Sequence, residues 1–379
     1  MKRLVKNLIY LGVITAVEVG LFAHYNQLLS IAKTTTVAVT APPVQQEKPN
    51  TLANINPLQP NLVAVSNDGQ RLAYVTQSNK LLAIDVSTGK TLYSLQLQMK
   101  PVYLSWIRNG SLFIGTEVPD GNLQDLRLST ITLSTGQLRL IHVFVGYATD
   151  ATFRNVTFSP YTNDVYILIA SSVASVMYHY DTNGNLTHVH LGGRYVTHAA
   201  ATSTSAIVYF QDFALGTPNV LMRDHLGNVI VLQRDAALLR VIGNTLYYGK
   251  LDSQGNVTQV VSYNAPADLG NPAVNGAANG SSSSVGGSTS ASASSTSSGS
   301  ASSGGTSTGT VSTVATLPTP VPPSQVYVTN THDVLVVGST GIENLTTKQH
   351  IHVPSGAQSV ERSNALLFLS PSGGVQFFT

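Results

Sequence analysis

Leu62-Val-Ala-Val-Ser66, Asn67-Asp68-Gly69, Arg71-Leu-Ala-Tyr-Val75, Lys80-Leu-Leu-Ala-Ile-Asp85, Ser87-Thr88-Gly89, Thr91-Leu-Tyr-Ser-Leu95: this stretch decides the fold. Four short alternating runs are separated by residues that favour turns, within about 35 residues. No amphipathic helical period interrupts them. The last turn then recurs as Ser134-Thr135-Gly136-Gln137, Thr182-Asn183-Gly184-Asn185 and His225-Leu226-Gly227-Asn228. Its glycines stand 47, 48 and 43 residues apart. Glycine suits these turns because two-residue hairpin loops need positive φ.

A four-strand unit of about 40–50 residues is the repeat of a β-propeller blade. The later sequence fits once residues 265–309 are set aside. That stretch is nearly all Gly, Ser, Ala, Thr and Asn, too polar to bury a core, and reads as a disordered insert. Strands are then expected at 238–243, 245–251 and 256–263, with 311–317 completing the same blade beyond the insert. A sixth unit covers 325–329, 333–337, 341–345 and 349–353. A seventh has only three strands, at 357–362, 365–369 and 375–378. Its fourth is expected from the N-terminal side, near Thr51–Ile55, which would close the ring and remove an open edge. The expectation is an all-β propeller over 51–379 with seven four-stranded blades, or six if two units are really one.

Ahead of it, Lys2, Arg3 and Lys6 precede an apolar run at 8–23. Basic residues before an apolar stretch read as a membrane-targeting signal with the basic end cytoplasmic. The run spans about 24 Å as a helix, and Leu28, Leu29 and Ile31 extend it. Cleavage after Ala23 would put Leu21 at −3, where a small residue is needed, so the reading is an uncleaved anchor. Residues 1–33 are thus expected to be a cytoplasmic tip and single transmembrane helix, and 34–50 a flexible linker. Glu18 inside the run is either tolerated in a marginal span or marks a helix–helix contact.

Composition narrows the function. Of 379 residues 10% are charged and 42% hydrophobic, against the high charge and low hydrophobicity of disordered chains. There is no cysteine, which excludes disulfide frameworks and thiolate metal sites. A net charge of +2 with scattered Lys and Arg gives no nucleic-acid footprint.

The segment Ala73-Tyr74-Val75-Thr76-Gln77 followed by Leu81-Leu82-Ala83-Ile84-Asp85-Val86-Ser87-Thr88-Gly89-Lys90 resembles the YVTN and quinoprotein-like propeller repeats. Tyr327-Val328-Thr329-Asn330 spells the first motif again at another strand position. The match covers about 25 residues, one blade. The quinoprotein branch implies pyrroloquinoline quinone and calcium. Its repeats carry Trp where this chain has Tyr93, many members have a vicinal cysteine pair, and only Trp106 is available for stacking. No cofactor or catalytic residue is carried over.

His188-x-His190 and His350-x-His352 are the candidate metal ligands. On a strand, alternation puts the two rings of each pair on one face. A catalytic zinc wants three protein ligands, and spacing identifies no third, so exposed histidines are the simpler reading. Asp85, Asp181 and Asp224 precede blade turns and are expected to accept turn N–H groups. Asp120, Asp125, Asp150, Asp164 and Asp212 are candidates for a mouth of the ring. P-loop and His-Glu-x-x-His motifs are absent from the sequence. The reading is a binding or scaffold module at a cell envelope, with a protein or glycan partner. A lactonase-like or quinone-dependent enzyme and a surface-layer or filament component are the alternatives.

Overall fold

The computed structural model describes residue 18 and residues 50–52, 55–214, 216–266, 269, 309–338, 341–353, 357–362, 365–370 and 374–379. Backbone contacts divide the chain into Met1–Glu47 and Lys48–Thr379. Apart from Glu18, which is helical and exposed, and Asn50, which belongs to the first strand rather than to the expected linker, the expected anchor and linker lie outside the described residues, as do 267–268 and 270–308 of the expected insert. Among the described residues no helix is long and apolar enough to cross a membrane.

Lys48–Thr379 is a β-propeller of seven four-stranded antiparallel sheets. Strand β1 (Asn50–Leu52) comes first in the chain but belongs to the last blade. Blade 1 is β2 (Val63–Val65), β3 (Arg71–Val75), β4 (Lys80–Asp85) and β5 (Thr91–Gln96). Blade 2 is β6 (Lys100–Arg108), β7 (Ser111–Asp120), β8 (Leu123–Thr132) and β9 (Gln137–Ala148). Blade 3 is β10 (Thr152–Phe158), β11 (Val165–Ala170), β12 (Ser175–Tyr180) and β13 (Leu186–His188). Blade 4 is β14 (Val196–Ala201), β15 (Val208–Ala214), β16 (Thr217–Arg223) and β17 (Val229–Gln233). Blade 5 is β18 (Ala236–Ile242), β19 (Thr245–Leu251), β20 (Val257–Asn264) and β21 (Thr310–Val321). Blade 6 is β22 (Val326–Val328), β23 (Val334–Val337), β24 (Ile342–Asn344) and β25 (Gln349–Ile351). Blade 7 is β26 (Gln358–Arg362), β27 (Ala365–Leu369) and β28 (Val375–Phe378), completed by β1.

The seven-blade count therefore holds, and the alternative of six does not. β1 pairs antiparallel with β28 in the register Asn50↔Phe377, Thr51↔Gln376 and Leu52↔Val375. The closing strand sits at the start of the expected window. Blade 5 runs across the insert as expected, with Asn264 opposite Thr310. Ala265 and Leu269, the first part of that stretch, are half-buried against the core of Tyr209, Val220 and Tyr263.

Side-chain alternation explains the layers. The second strands carry continuous apolar runs, as in Val-Tyr-Ile-Leu-Ile-Ala of β11, because both faces pack against neighbouring blades. Trp106 is 8% exposed in the core between blades 1 and 2, and its indole N–H donates to the Ala64 carbonyl at 3.0 Å. That burial removes the one tryptophan from any role in cofactor stacking. Tyr93, where the resembling repeats carry Trp, packs on the same core and donates to Gly136 O at 3.4 Å.

Antiparallel pairing sorts the turns onto two rims. Turns between first and second strands, and between third and fourth, share one rim. The remaining connections share the other. As a fourth strand, β1 starts on the first of these, here named the entry rim; the opposite one is the far rim. Asp85, Asp181 and Asp224 fill the entry-rim role expected of them. Asp85 accepts from Thr88 N at 2.9 Å, Asp181 from Asn185 N at 2.8 Å, and Asp224 from Asn228 N at 2.8 Å. Hydrogen bonds from Ser87 and Thr88 hold the Asp85 carboxyl down to about 2.

The entry rim also carries a belt of bonds from blade to blade. Arg71 donates to Asn109 O, and Arg108 to Asn163 Oδ1 at 3.1 Å. Ala201 N donates to Thr157 Oγ1 at 3.1 Å, and Thr204 N to Asn244 Oδ1 at 2.9 Å. Buried Arg240 donates to Val328 O at 2.5 Å and Asn330 Oδ1 at 2.7 Å. Asn330 then donates to Thr379 O at 3.0 Å and to Asn67 O at 3.1 Å, returning the belt to blade 1.

Two outcomes follow for stability. Phe377 is fully buried opposite Asn50, so Phe377→Ala should cost about 3–5 kcal/mol in urea unfolding of the purified chain. Replacing residues 270–308 with a short Gly-Ser linker should raise stability by only about 1 kcal/mol, because closure cost grows slowly with loop length; thermal melts of the two forms give the comparison.

Candidate functional site

A cleft of about 620 Å³ opens on the far rim of blade 4. Three segments meet there: the connection from blade 3, the β15–β16 hairpin and the connection to blade 5. Gly192 and Gly193 form part of its wall with φ of 63° and 71°, a conformation that costs glycine nothing. Next in sequence, Arg194 turns its guanidinium onto Asp212, with Nη1 2.5 Å from Oδ2. Asp212 has 0% exposure. Asn219 donates to its other oxygen at 2.9 Å. Both carboxylate oxygens are therefore taken, and the buried charge has the pairing that burial demands.

The partly exposed guanidinium is thus fixed from behind with donors left over. The cleft is also lined by Phe213, Val231, Arg234 and Asp235, with Phe213 on the opposite face of the β15–β16 ribbon from Asp212. Phe213 keeps 50% of its surface exposed, while its backbone N–H donates to Tyr195 O at 2.8 Å. Tyr195 directs its own hydroxyl away, to Ser171 O at 2.8 Å. The cleft thus exposes an aromatic side chain and a carboxylate-held guanidinium, a mixture of apolar and polar groups of the kind found in recognition sites.

Among the acids considered for a mouth of the ring, only Asp212 is tied to this cleft, buried and paired to its lining residue Arg194. Asp125 accepts from Gly146 N at 3.1 Å and Asp150 from Ser172 N at 2.8 Å. Asp164 lies 3.0 Å from His179 Nε2. Asp120 ends β7, exposed. Arg194, Phe213, Asn219 and Arg234 escape notice in the sequence. The available signal is Gly192-Gly193 directly before a cation in a connection between blades.

The histidine pairs lie elsewhere. His188 ends β13 and His190 follows it, both exposed, with ring centroids 5.2 Å apart. His350 is on β25 and His352 just beyond, also exposed. Among the described residues no group of three or more His, Cys, Asp or Glu is placed to hold a metal.

The first strands line the axis of the ring, and four of them bulge: β6 between Pro101 and Tyr103 and between Trp106 and Arg108, β10 between Phe153 and Asn155, β14 between Val196 and His198, and β18 between Leu238 and Arg240. Such bulges re-aim side chains. Thr197 Oγ1 is 3.1 Å from His198 Nδ1 and accepts from Gln211 Nε2 at 2.9 Å; Gln211 Oε1 accepts from Leu238 N at 2.8 Å. Water reaches His198, yet the strands crowd it; this desolvation, with the Arg154 charge, holds its pKa below the ordinary value.

No family model and no curated protein matches the chain. Solved structures with some similarity include TolB from Acinetobacter baumannii, 16% identical over 56% of this chain and 51% of its own, with a TM-score of 0.36. Dipeptidyl peptidase 4 from Porphyromonas gingivalis is 12% identical over 57% of this chain and 38% of its own, at 0.41. A chain of the mitotic checkpoint complex is 11% identical over 87% and 94%, at 0.47. The chain thus spans about half the length of TolB and less of the peptidase. The propeller assignment rests on this chain's own seven sheets.

The channel histidine sets a pH dependence. Its folded pKa is depressed, so the unfolded chain takes up a proton first as pH falls below about 6.5. The stability from neutral His198 is full above that pH and declines as pH drops toward the folded value. His198→Gln should remove this part of the slope, read as a smaller difference in urea midpoint between pH 7.5 and 5.5 than in the parent chain.

Proposed function

We propose that this chain is a membrane-anchored, extracytoplasmic β-propeller that binds a protein or glycan at the cell envelope through the far-rim cleft. The observation that carries the reading is the placement of the cleft. The chain joins the ring at Asn50 on the entry rim, and the cleft opens on the opposite one. Asn264 and Thr310, between which the low-complexity stretch is inserted, also belong to the entry rim. Both low-complexity segments therefore attach away from the cleft. The basic-then-apolar N-terminus supplies the membrane and its sidedness. A guanidinium already ordered by a buried carboxylate supports binding, because part of the ordering cost is met on folding.

The cysteine-free chain permits a direct test. Thr217→Cys on the far rim and Ser87→Cys on the entry rim are both exposed positions. A membrane-impermeant maleimide should label both on intact cells. Relative to Ser87→Cys, labelling at Thr217→Cys should be slower on cells than in the purified chain, because the partner covers the cleft. Labelling only after lysis would overturn the sidedness, and equal relative rates would remove the cleft from the interaction.

A further inference from the structure

We propose that the axial channel binds a small oxyanion, a phosphate or a carboxylate, between the Arg154 guanidinium and the His198 imidazole. This site is separate from the far-rim cleft and does not rest on it.

The strand bulges place the two side chains. In β10 the pairing steps from Phe153↔Ile169 to Asn155↔Leu168, so Arg154 is the extra residue and leaves the ladder. In β14 it steps from Val196↔Asp212 to His198↔Gln211, with Thr197 extra. Toward the entry rim the two strands run side by side, and Ala201 N donates to Thr157 Oγ1 at 3.1 Å. Arg154 and His198 each precede that bond by three residues, so they stand at the same height in the channel. Crowding and then the Arg154 charge lower the His198 pKa, as closeness of the two groups requires.

The surroundings favour an anion. Both residues are exposed. Away from strand ends, they are the exposed residues on the first strands of blades 1–6, and those strands carry no Asp or Glu. Asp150, whose charge reaches Arg154, has Oδ2 bonded by Ser172 N at 2.8 Å on the far rim. Asp212, opposite Val196, has both oxygens bonded. A water-accessible space lined by a guanidinium and an imidazole attracts negative charge.

A chain of hydrogen bonds aims the imidazole. Leu238 N donates to Gln211 Oε1 at 2.8 Å, which fixes that amide, and Gln211 Nε2 donates to Thr197 Oγ1 at 2.9 Å. The threonine proton then goes to the nearer acceptor, His198 Nδ1 at 3.1 Å rather than Gln211 O at 3.4 Å. Neutral His198 therefore carries its proton on Nε2, on the other side of the ring. Among the described residues Arg154 makes no hydrogen bond, and His198 bonds through Nδ1 alone. A guanidinium fork with a second N–H donor beside it is a donor set suited to an oxyanion.

The test is nuclear magnetic resonance of the purified full chain, following imidazole C–H signals as sodium phosphate is added at constant pH and ionic strength. N-acetylalanine, titrated separately, supplies a carboxylate carried on a chain. The His198 signals are those missing from His198→Gln. They should shift and saturate at millimolar anion or below. Arg154→Gln should weaken binding about tenfold or more, and Arg154→Lys less, because lysine keeps the charge and loses the fork. Lys90→Gln, in an exposed entry-rim turn, should change nothing. Melting curves identify a variant that fails to fold, and Arg154→Met, which keeps the stem of the side chain, then replaces Arg154→Gln. Saturation by either anion supports the site, and the tighter of the two names its occupant. His198 signals that move with neither anion would overturn the proposal, as would an affinity unchanged by loss of the Arg154 charge.

Discussion

Three residue pairs hold the ring shut. Asn50, Thr51 and Leu52 lie along β28, and through them the first strand of the chain becomes the last strand of the last blade. Without this pairing β28 would expose an unpaired edge, and each end of the chain could peel away separately. With it, blade 7 packs on blade 1, as the shared core of Leu52, Val63, Leu72 and Phe377 shows. The belt of entry-rim bonds depends on the same closure, because Asn330 reaches both Thr379 and Asn67 only when the two ends of the ring meet. The chain has no cysteine, so ring closure and sheet packing do what a disulfide does in disulfide-bonded domains.

Scarcity of charge makes the buried charges informative. Burying an ion is costly unless its hydrogen bonds are satisfied. Arg240 bonds through its two terminal nitrogens to Val328 O and Asn330 and lies over the Tyr327 ring at 4.9 Å, so its work is to join blade 5 to blade 6. Asp212 meets that condition with Arg194 and Asn219, but the guanidinium it holds faces solvent in a cleft. One buried ion is absorbed by the scaffold. The other holds a guanidinium that stays partly exposed. The half-buried turn aspartates are a third case: Asp85 and Asp181 have depressed pKa values because turn hydrogen bonds stabilise their charged form, and they remain ionised in mild acid.

Most of the blade pattern can be read along the chain because it is local. Asp85, Asp181 and Asp224 bond to amides within four residues of themselves, and Gly89, Gly136, Gly184 and Gly227 all take positive φ. Such turns declare themselves in any window that contains them. The outer strands are less legible. β13 and β25 have three residues each, so His190 and His352 fall beyond the strands that carry His188 and His350. A fourth strand pairs on one side only, and its length depends on the neighbour more than on its own propensity. Trp106 likewise has no sequence mark that separates a core indole from one set to stack on a ligand; only the Ala64 carbonyl opposite it decides.

The residues alone determined the kind of architecture: repeated alternating strands, turn chemistry every forty-odd residues, and a last unit one strand short. Local φ preferences and period-two burial act over a few positions, so they survive in one dimension. Which groups meet was decided by the tertiary structure. Arg194 and Asp212 stand 18 residues apart on separate elements, and neither is marked by its immediate neighbours as a partner of the other. Arg240 reaches Asn330 across 90 residues. Those pairings exist because the ring closes and antiparallel alternation assigns every connection to one rim or the other, a constraint that acts on the whole circle of blades and leaves no trace in any single one.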